Sequence, residues 1–136
     1  MLEENIEKLA EDLKLPPFSG KDKESCYHLP LTNNLTVMIK SLHKGIAIFA
    51  KVAPLSLKKK EEAFLYFMKG NLLGQGTGIQ ALGLDKDEKF LTLSCIIPYD
   101  INYKQFKEKV EDFANYLDYW RLETEKLQQK ENESIL

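Results

Sequence analysis

The last third of the chain carries apolar side chains at alternating spacings of four and three residues, without a break. They are Phe106, Val110, Phe113, Leu117, Trp120, Thr124 and Leu127. This spacing places them on one face of a helix, so it predicts a helix over residues 103–128, roughly 38 Å long by the helical rise. Asn102 and Gln105 resemble a capping box, which marks its start.

The rest of the chain alternates between helical and strand-like patterns. Four aliphatic residues share one face of a predicted first helix over residues 2–14: Leu2, Ile6, Leu9 and Leu13. Strands are predicted over residues 26–30, 35–43, 46–53, 81–84 and 89–97, and a second helix over residues 57–73. Lys44-Gly45 and residues 85–88, which begin with Asp85, are the predicted turns of two hairpins. We therefore expect an α+β fold, a single domain of order α-β-β-β-α-β-β-α with a twisted antiparallel sheet and three helices. It should occupy residues 1–128, followed by a frayed C-terminal tail over residues 129–136.

The predicted second helix is apolar on more than one side. One stripe holds Phe64, Phe67, Met68, Asn71 and Leu72, and a further apolar set is Leu65, Tyr66 and Leu73. A helix of this kind packs against two layers or against a second subunit. Gly70 weakens the helical pattern near the end of the segment.

Apolar side chains outside the predicted core leave two interpretations open. Phe49 lies on the less buried face of its predicted strand. The aliphatic stripe of the first helix either packs on the sheet and does nothing more, or lines a groove for another chain together with groups such as Phe49. A small antiparallel sheet also has edge strands, with which an extended peptide can pair.

Charge and composition exclude several classes of protein. The net charge is -2, from 19 basic and 21 acidic residues, which leaves no surplus for a nucleic-acid-binding face. No apolar run approaches about 18 residues, and the acidic N-terminal segment is unlike a secretory or transit peptide, so membrane insertion is not expected. Cys26 and Cys95 lie in strand-like segments, where we expect them to stay reduced and to act as small hydrophobes.

The sequence contains little that points to chemistry. The glycine-rich stretch Gly74–Gly78 lacks the third glycine of a dinucleotide fingerprint and follows a helix instead of opening one. His28, His43 and Cys26 do not have zinc-like spacing, and Cys95 shares its strand face with aliphatic residues. We therefore expect no catalytic residue, no cofactor and no metal site.

Three stretches stand out around the end of the predicted second helix and the hairpin that follows it: Asn71-Leu72-Leu73-Gly74-Gln75-Gly76-Thr77-Gly78, Ala81-Leu82-Gly83-Leu84-Asp85 and Phe90-Leu91-Thr92-Leu93. Together they resemble the central signature of class I type III secretion chaperones, the Tir-chaperone or CesT-like family. The order of elements is also similar, and the resemblance covers roughly residues 1–128. It implies a dimeric, non-enzymatic virulence-associated chaperone of the bacterial cytoplasm.

The resemblance also implies partners. The chaperone would bind an unfolded N-terminal segment of a secreted effector and hold it extended, soluble and competent for export. It would pair with itself as a homodimer or with a related chaperone, and the secretion ATPase is a further possible partner. The alternative function is a non-catalytic regulatory or interaction subunit that forms an obligate heterodimer with another small protein. An enzyme or small-ligand protein is a third, less supported reading.

By the same resemblance, two sets of residues are candidates for partner contacts. The effector set is Leu2, Ile6, Leu9, Leu13, Val37, Ile39 and Phe49. The dimer set is Phe64, Phe67, Met68, Leu72, Ala81, Leu82 and Leu84. The apolar second helix favours the dimer set independently, because its stripe exceeds what one layer can cover.

Overall fold

The computed structural model describes residues 2–15, 20–22, 24–31, 35–54, 60–72 and 78–133. The helices are α1 (Leu2–Asp12), α2 (Lys60–Asn71) and α3 (Tyr103–Glu133). The strands are β1 (Cys26–Leu31), β2 (Leu35–Ser41), β3 (Ile46–Pro54), β4 (Ala81–Leu84) and β5 (Phe90–Ile97). The predicted single α+β domain and its element order are confirmed.

The five strands form one antiparallel sheet in the order β1-β2-β3-β5-β4. Both predicted hairpins are present. The amide of Leu42 donates to the carbonyl of Gly45 at 2.7 Å and closes the β2–β3 turn. In the β4–β5 turn, the Asp85 carboxylate accepts from the backbone amides of Lys89 at 2.8 Å and Phe90 at 3.1 Å. Residues within each turn therefore determine both strand connections, β2–β3 and β4–β5.

The chain groups into two compact units, residues 1–50 with 96–114 and residues 51–95 with 115–136. In the first unit the buried aliphatic residues come from α1, from alternate positions of β2 and β3, and from the first half of α3. Two aromatic groups of this core, Phe106 and Phe113, each have 0% of their surface exposed. The apolar faces of the helices, which follow a 3.6-residue period, and those of the strands, which follow a two-residue period, therefore pack into one apolar interior.

The core of the second unit is built around Trp120, whose side chain is 2% exposed. The rings of Tyr66, Phe67 and Tyr119 meet its indole edge-on, at centroid distances of 5.8, 5.9 and 5.3 Å. A Cβ atom at Gly70 would lie 2.7 Å from Cζ2 of this indole. Gly70 therefore does not break α2: it permits the helix to pass close to the buried indole, and α2 continues to Asn71.

α3 has the predicted start and a later end. Asn102 Oδ1 accepts from the Gln105 amide at 2.8 Å, and Gln105 Oε1 accepts from the Asn102 amide at 3.2 Å, which is a reciprocal capping box. The helix then continues past the predicted end at residue 128 to Glu133. The predicted start of the second helix before Lys60 and most of the glycine-rich connection fall outside the described residues.

Candidate protein-binding surfaces

An apolar cleft of about 220 Å³ lies between α2 and β4 in the second unit. Its lining residues are Phe64, Phe67, Met68, Asn71, Leu82, Gly83, Leu84 and Leu91. The side chains of Phe67, Leu82 and Leu91 are buried and form its floor, whereas Met68 and Leu84 are exposed at its margin. The cleft brings together five members of the predicted dimer set and leaves Leu72 and Ala81 outside its lining.

The outer side of α2 continues this apolar surface. Met68 is 66% exposed, and Leu65 and Leu72 are each 59% exposed. Helical geometry puts these three side chains on one stripe, with Glu61 before it and Lys69 at its flank. Leu65 is apolar in the sequence but does not belong to the predicted dimer set. The helical pattern alone does not show which of the two apolar sides of the helix is covered by the rest of the chain. We refer to Leu65, Met68 and Leu72 with the cleft as the α2–β4 surface.

The side chain of Asn71 ties the end of α2 to β4. Its Nδ2 donates to the Leu82 carbonyl at 3.0 Å, and its Oδ1 accepts from the Leu82 amide at 2.8 Å. Both backbone groups of one strand residue are therefore satisfied by one side-chain amide. This contact fixes the relative position of the helix and the strand that frame the cleft.

The sheet face opposite the buried residues carries a second apolar area, in the first unit. Met38 and Phe49 are directly opposed across β2 and β3, and both are half-buried. Ile96 of β5 is 68% exposed on the same face, with its Cγ2 close above Gly45. We refer to Met38, Phe49 and Ile96 as the open-face patch.

Most of the predicted effector set lies in the core. Leu2, Ile6, Leu9, Val37 and Ile39 are buried, with at most 7% of any side chain exposed. Leu13 is 39% exposed and Phe49 is half-buried, so these two can be reached from solvent. Of the two interpretations of the α1 stripe, packing within the fold therefore describes most of its length. The assignment of effector contacts remains a prediction, and Leu13 and Phe49 are the members at which a partner can touch this chain without displacing its core.

Polar contacts hold α1 against the start of α3. The Tyr103 hydroxyl donates to the Asp12 carboxylate, and Lys107 Nζ lies 3.7 Å from the same carboxylate. Burial, followed by the hydrogen bond to Asp12, raises the pKa of Tyr103. Lys8 Nζ lies 5.8 Å from the centre of the Tyr103 ring. The phenol therefore acts as a hydrogen-bond donor to Asp12, and this cluster positions α1 against the start of α3.

Three of the candidate reactive groups of the sequence, His28, Cys26 and Cys95, lie in strands β1 and β5. His28 Nε2 donates to Asp22 Oδ2 at 2.6 Å. Burial raises the pKa of the Cys26 thiol, which disfavours its nucleophilic form. Cys26 and Cys95 are both buried and form no disulfide. Across the described part of the chain, no three potential ligands come together to hold a metal, and no helix has the length and apolar character needed to cross a bilayer.

These features define a small α+β protein with exposed apolar side chains on α2 and β5 and an apolar cleft between α2 and β4. The chain belongs to the Tir chaperone protein (CesT) family, whose family model matches residues 4–121. This membership agrees with the resemblance seen in the sequence around the second helix and the β4–β5 hairpin.

One sequence relative and two solved structures of the same fold illustrate the range of similarity. The Chlamydia pneumoniae protein CPj0713/CpB0740 is 28% identical over 122 residues, which cover 88% of this chain and 93% of the relative. The fold is shared with a structure of the HopA1–SchA chaperone–effector complex, at a TM-score of 0.66, 15% identity, and coverage of 88% of this chain and 92% of that one. The Yersinia pestis type III secretion chaperone SycH, solved with a stable fragment of YscM2, gives a TM-score of 0.62, 15% identity, and coverage of 86% and 97%.

Proposed function

We propose that this chain is a type III secretion chaperone of the bacterial cytoplasm, without catalytic activity, that acts as a homodimer. In this proposal it binds an N-terminal segment of a secreted effector in an extended form and keeps it soluble and competent for export. The observation that carries the proposal is the presence of two separate apolar areas, the α2–β4 surface and the open-face patch. Family membership supports the assignment of these areas to protein partners.

The α2–β4 surface suits a second copy of the chain. Glu61 and Lys69 lie one helical turn before and one turn after Leu65. When two α2 helices cross antiparallel with Leu65 on the twofold axis, Glu61 of each copy faces Lys69 of the other. The same crossing buries Met68 of each copy against apolar side chains. A twofold interface needs such a self-complementary surface, and α2 supplies both the apolar centre and the opposite charges at its two ends.

The open-face patch suits an extended segment. An unfolded segment loses conformational entropy when it becomes ordered, so its binding requires a large apolar contact area to offset that loss. Met38, Phe49 and Ile96 lie on a pleated face that an extended chain can follow, with its apolar side chains directed at the patch.

Two variants separate the two halves of the proposal. Leu65→Asp places two carboxylates at the twofold axis and should convert the dimer to a monomer, whereas Ile96→Asp should leave the dimer intact and weaken effector binding. Light scattering measures the mass. Co-elution with N-terminal fragments of the effectors exported by the same organism, produced together with this chain, measures binding. Leu122→Asp is the matched control, because Leu122 is also highly exposed, at 51%, and lies on the solvent side of α3.

Each outcome decides between functions. A wild-type dimer that co-elutes with one effector fragment supports the proposal. A protein that is monomeric at micromolar concentration and binds none of the fragments contradicts it. A one-to-one complex with another folded small protein, without a homodimer, supports the alternative interaction subunit, because the α2–β4 surface would then belong to a different partner.

A further inference from the structure

The β4 strand lies at one end of the sheet order, so among the described residues one side of its backbone has no neighbouring strand. Leu82 is opposite Leu93 of β5 in the antiparallel register. Successive residues of an antiparallel strand direct their backbone amide and carbonyl groups alternately to the two sides. Because the Leu82 amide and carbonyl are both bonded to Asn71, they are directed away from β5 and toward the free edge.

Asn71 therefore occupies the place of a partner strand. Its primary amide offers one donor and one acceptor to a single residue, as a residue of a paired strand does across an antiparallel ladder. Of the residues Ala81–Leu84, Leu82 and Leu84 direct their backbone to the free edge, so closing Leu82 leaves one residue for an incoming strand. A single residue does not sustain strand pairing, whereas an unprotected edge strand invites it.

We propose that Asn71 closes the β4 edge to strand addition, so that the α2–β4 surface accepts a folded second copy through side-chain packing and excludes an extended chain. This inference rests on the proposed function for the identity of the partner. In this proposal Asn71 is a positioning residue that determines which kind of partner, folded or extended, can bind next to β4. The folded copy is directed to the α2–β4 surface, and the extended segment is excluded from that edge and left to bind elsewhere.

The test compares Asn71→Ala with the wild-type chain by two measurements. Hydrogen exchange at the Leu82 amide should become roughly tenfold faster in dilute Asn71→Ala protein, because that amide loses its acceptor. As the protein concentration rises, light scattering should show association beyond the wild-type mass, and the exchange at Leu82 should slow again as strands pair. Asn115→Ala, an exposed asparagine on α3, is the control and should change neither measurement.

A second variant keeps the test decisive if Asn71→Ala does not fold. Asn71→Asp retains an acceptor for the Leu82 amide and loses the donor to the Leu82 carbonyl, so its exchange rate should lie between those of the wild type and the alanine variant. Exchange at the wild-type rate in both variants would overturn the inference. Faster exchange without any association at high concentration would overturn it as well, because an opened edge would then not accept a strand.

The result is independent of the helix-mediated dimer. In a Leu65→Asp background, where that dimer is removed, opening the edge with Asn71→Ala should still produce concentration-dependent association. If Leu65→Asp leaves the wild-type mass unchanged, the proposed dimer fails. If Asn71→Ala in that background shows neither faster exchange at Leu82 nor association, the closure of the edge fails.

Discussion

Gly70 and Trp120 show how one missing side chain determines the packing of a helix. Trp120 is nearly fully buried, and its indole occupies the space next to the α-carbon of Gly70. A glycine in a helix interior costs about 1 kcal/mol relative to alanine, so its presence in α2 opposes local propensity. The close approach of the indole explains why the position lacks a side chain, because a rigid buried ring cannot move aside cheaply.

We expect Gly70→Ala to lower the free energy of unfolding by about 1 kcal/mol, because overpacking costs about 1–3 kcal/mol and exceeds the gain in helix propensity. Chemical denaturation measures the change. Gly83→Ala is the matched control, since a Cβ there would meet Thr92 Oγ1 at an ordinary 3.6 Å. A Gly70→Ala variant more stable than the wild type would show that the indole can shift freely.

Gln80 is a buried amide at the entrance to β4. Its side chain is 4% exposed, and neither its Nε2 nor its Oε1 has a hydrogen-bond partner among the described residues. Leaving such a group unpaired costs about 1–3 kcal/mol. We expect Gln80→Leu, which has a similar volume, to raise the free energy of unfolding by about 1 kcal/mol. Gln129→Leu, at an exposed position of α3, should change it by less than about 0.5 kcal/mol.

At the scale of elements, the start of β1 depends on one carboxylate. Asp22 Oδ1 accepts from the amides of Glu24 at 2.8 Å and Cys26 at 2.9 Å, and Oδ2 accepts from His28. The bond from His28, followed by the bond from Cys26, lowers the pKa of Asp22 below its usual value of 3.8. The ionised form therefore holds the preceding turn and the first residues of the strand together.

The lowered pKa of Asp22 fixes the sign of its pH dependence. A carboxyl group whose pKa is lower in the folded state stabilises the fold above its unfolded pKa, and this contribution is lost as the pH falls through the folded pKa. We expect Asp22→Asn to be less stable than the wild type at neutral pH and the difference to shrink below about pH 4. Denaturation between pH 7 and pH 2 measures it, with Asp87→Asn in the β4–β5 turn as the control. A difference that stays constant over this range would exclude the ionised carboxylate as the cause.

At the scale of the whole molecule, the proposed homodimer depends on charges at both ends of the apolar stripe on α2. In the antiparallel arrangement, Lys69→Glu places like charges together twice, once on each side of the twofold axis. Exposed ion pairs contribute about 0.5 kcal/mol each, so replacing two attractions by two repulsions should weaken the dimer roughly tenfold or more. Glu61→Lys should weaken it to a similar extent.

The double variant Glu61→Lys with Lys69→Glu should restore most of the affinity, because it exchanges the charges without changing their pairing. Analytical ultracentrifugation over a concentration series measures all four proteins. High salt should reduce the differences among them, since exposed charges are screened. Restoration in the double variant is specific to the proposed crossing; additive weakening would contradict that geometry.

Local patterns in the sequence were sufficient for most of the architecture. The alternation of four and three residues determined the buried face of α3, and the residues Asn102 and Gln105 determined its start. Asp85 and Gly45 marked the two hairpin turns. These features could be predicted because each depends on residues a few positions apart, within one turn of a helix or one turn between strands. The end of α3 could not, because polar residues after residue 128 continue the helix without an apolar pattern to mark it.

The tertiary structure decided which apolar side chains are covered. Ile6 and Leu65 look alike in the sequence, each an aliphatic residue on an apolar side of a predicted helix, yet Ile6 is completely buried and Leu65 is 59% exposed. The sequence likewise did not predict the bidentate contact between Asn71 and Leu82. The sequence by itself determined the periodicity of each element, because that depends on neighbours along the chain. Exposure and edge closure depend on which element packs across from which, and only the folded chain brings those distant residues together.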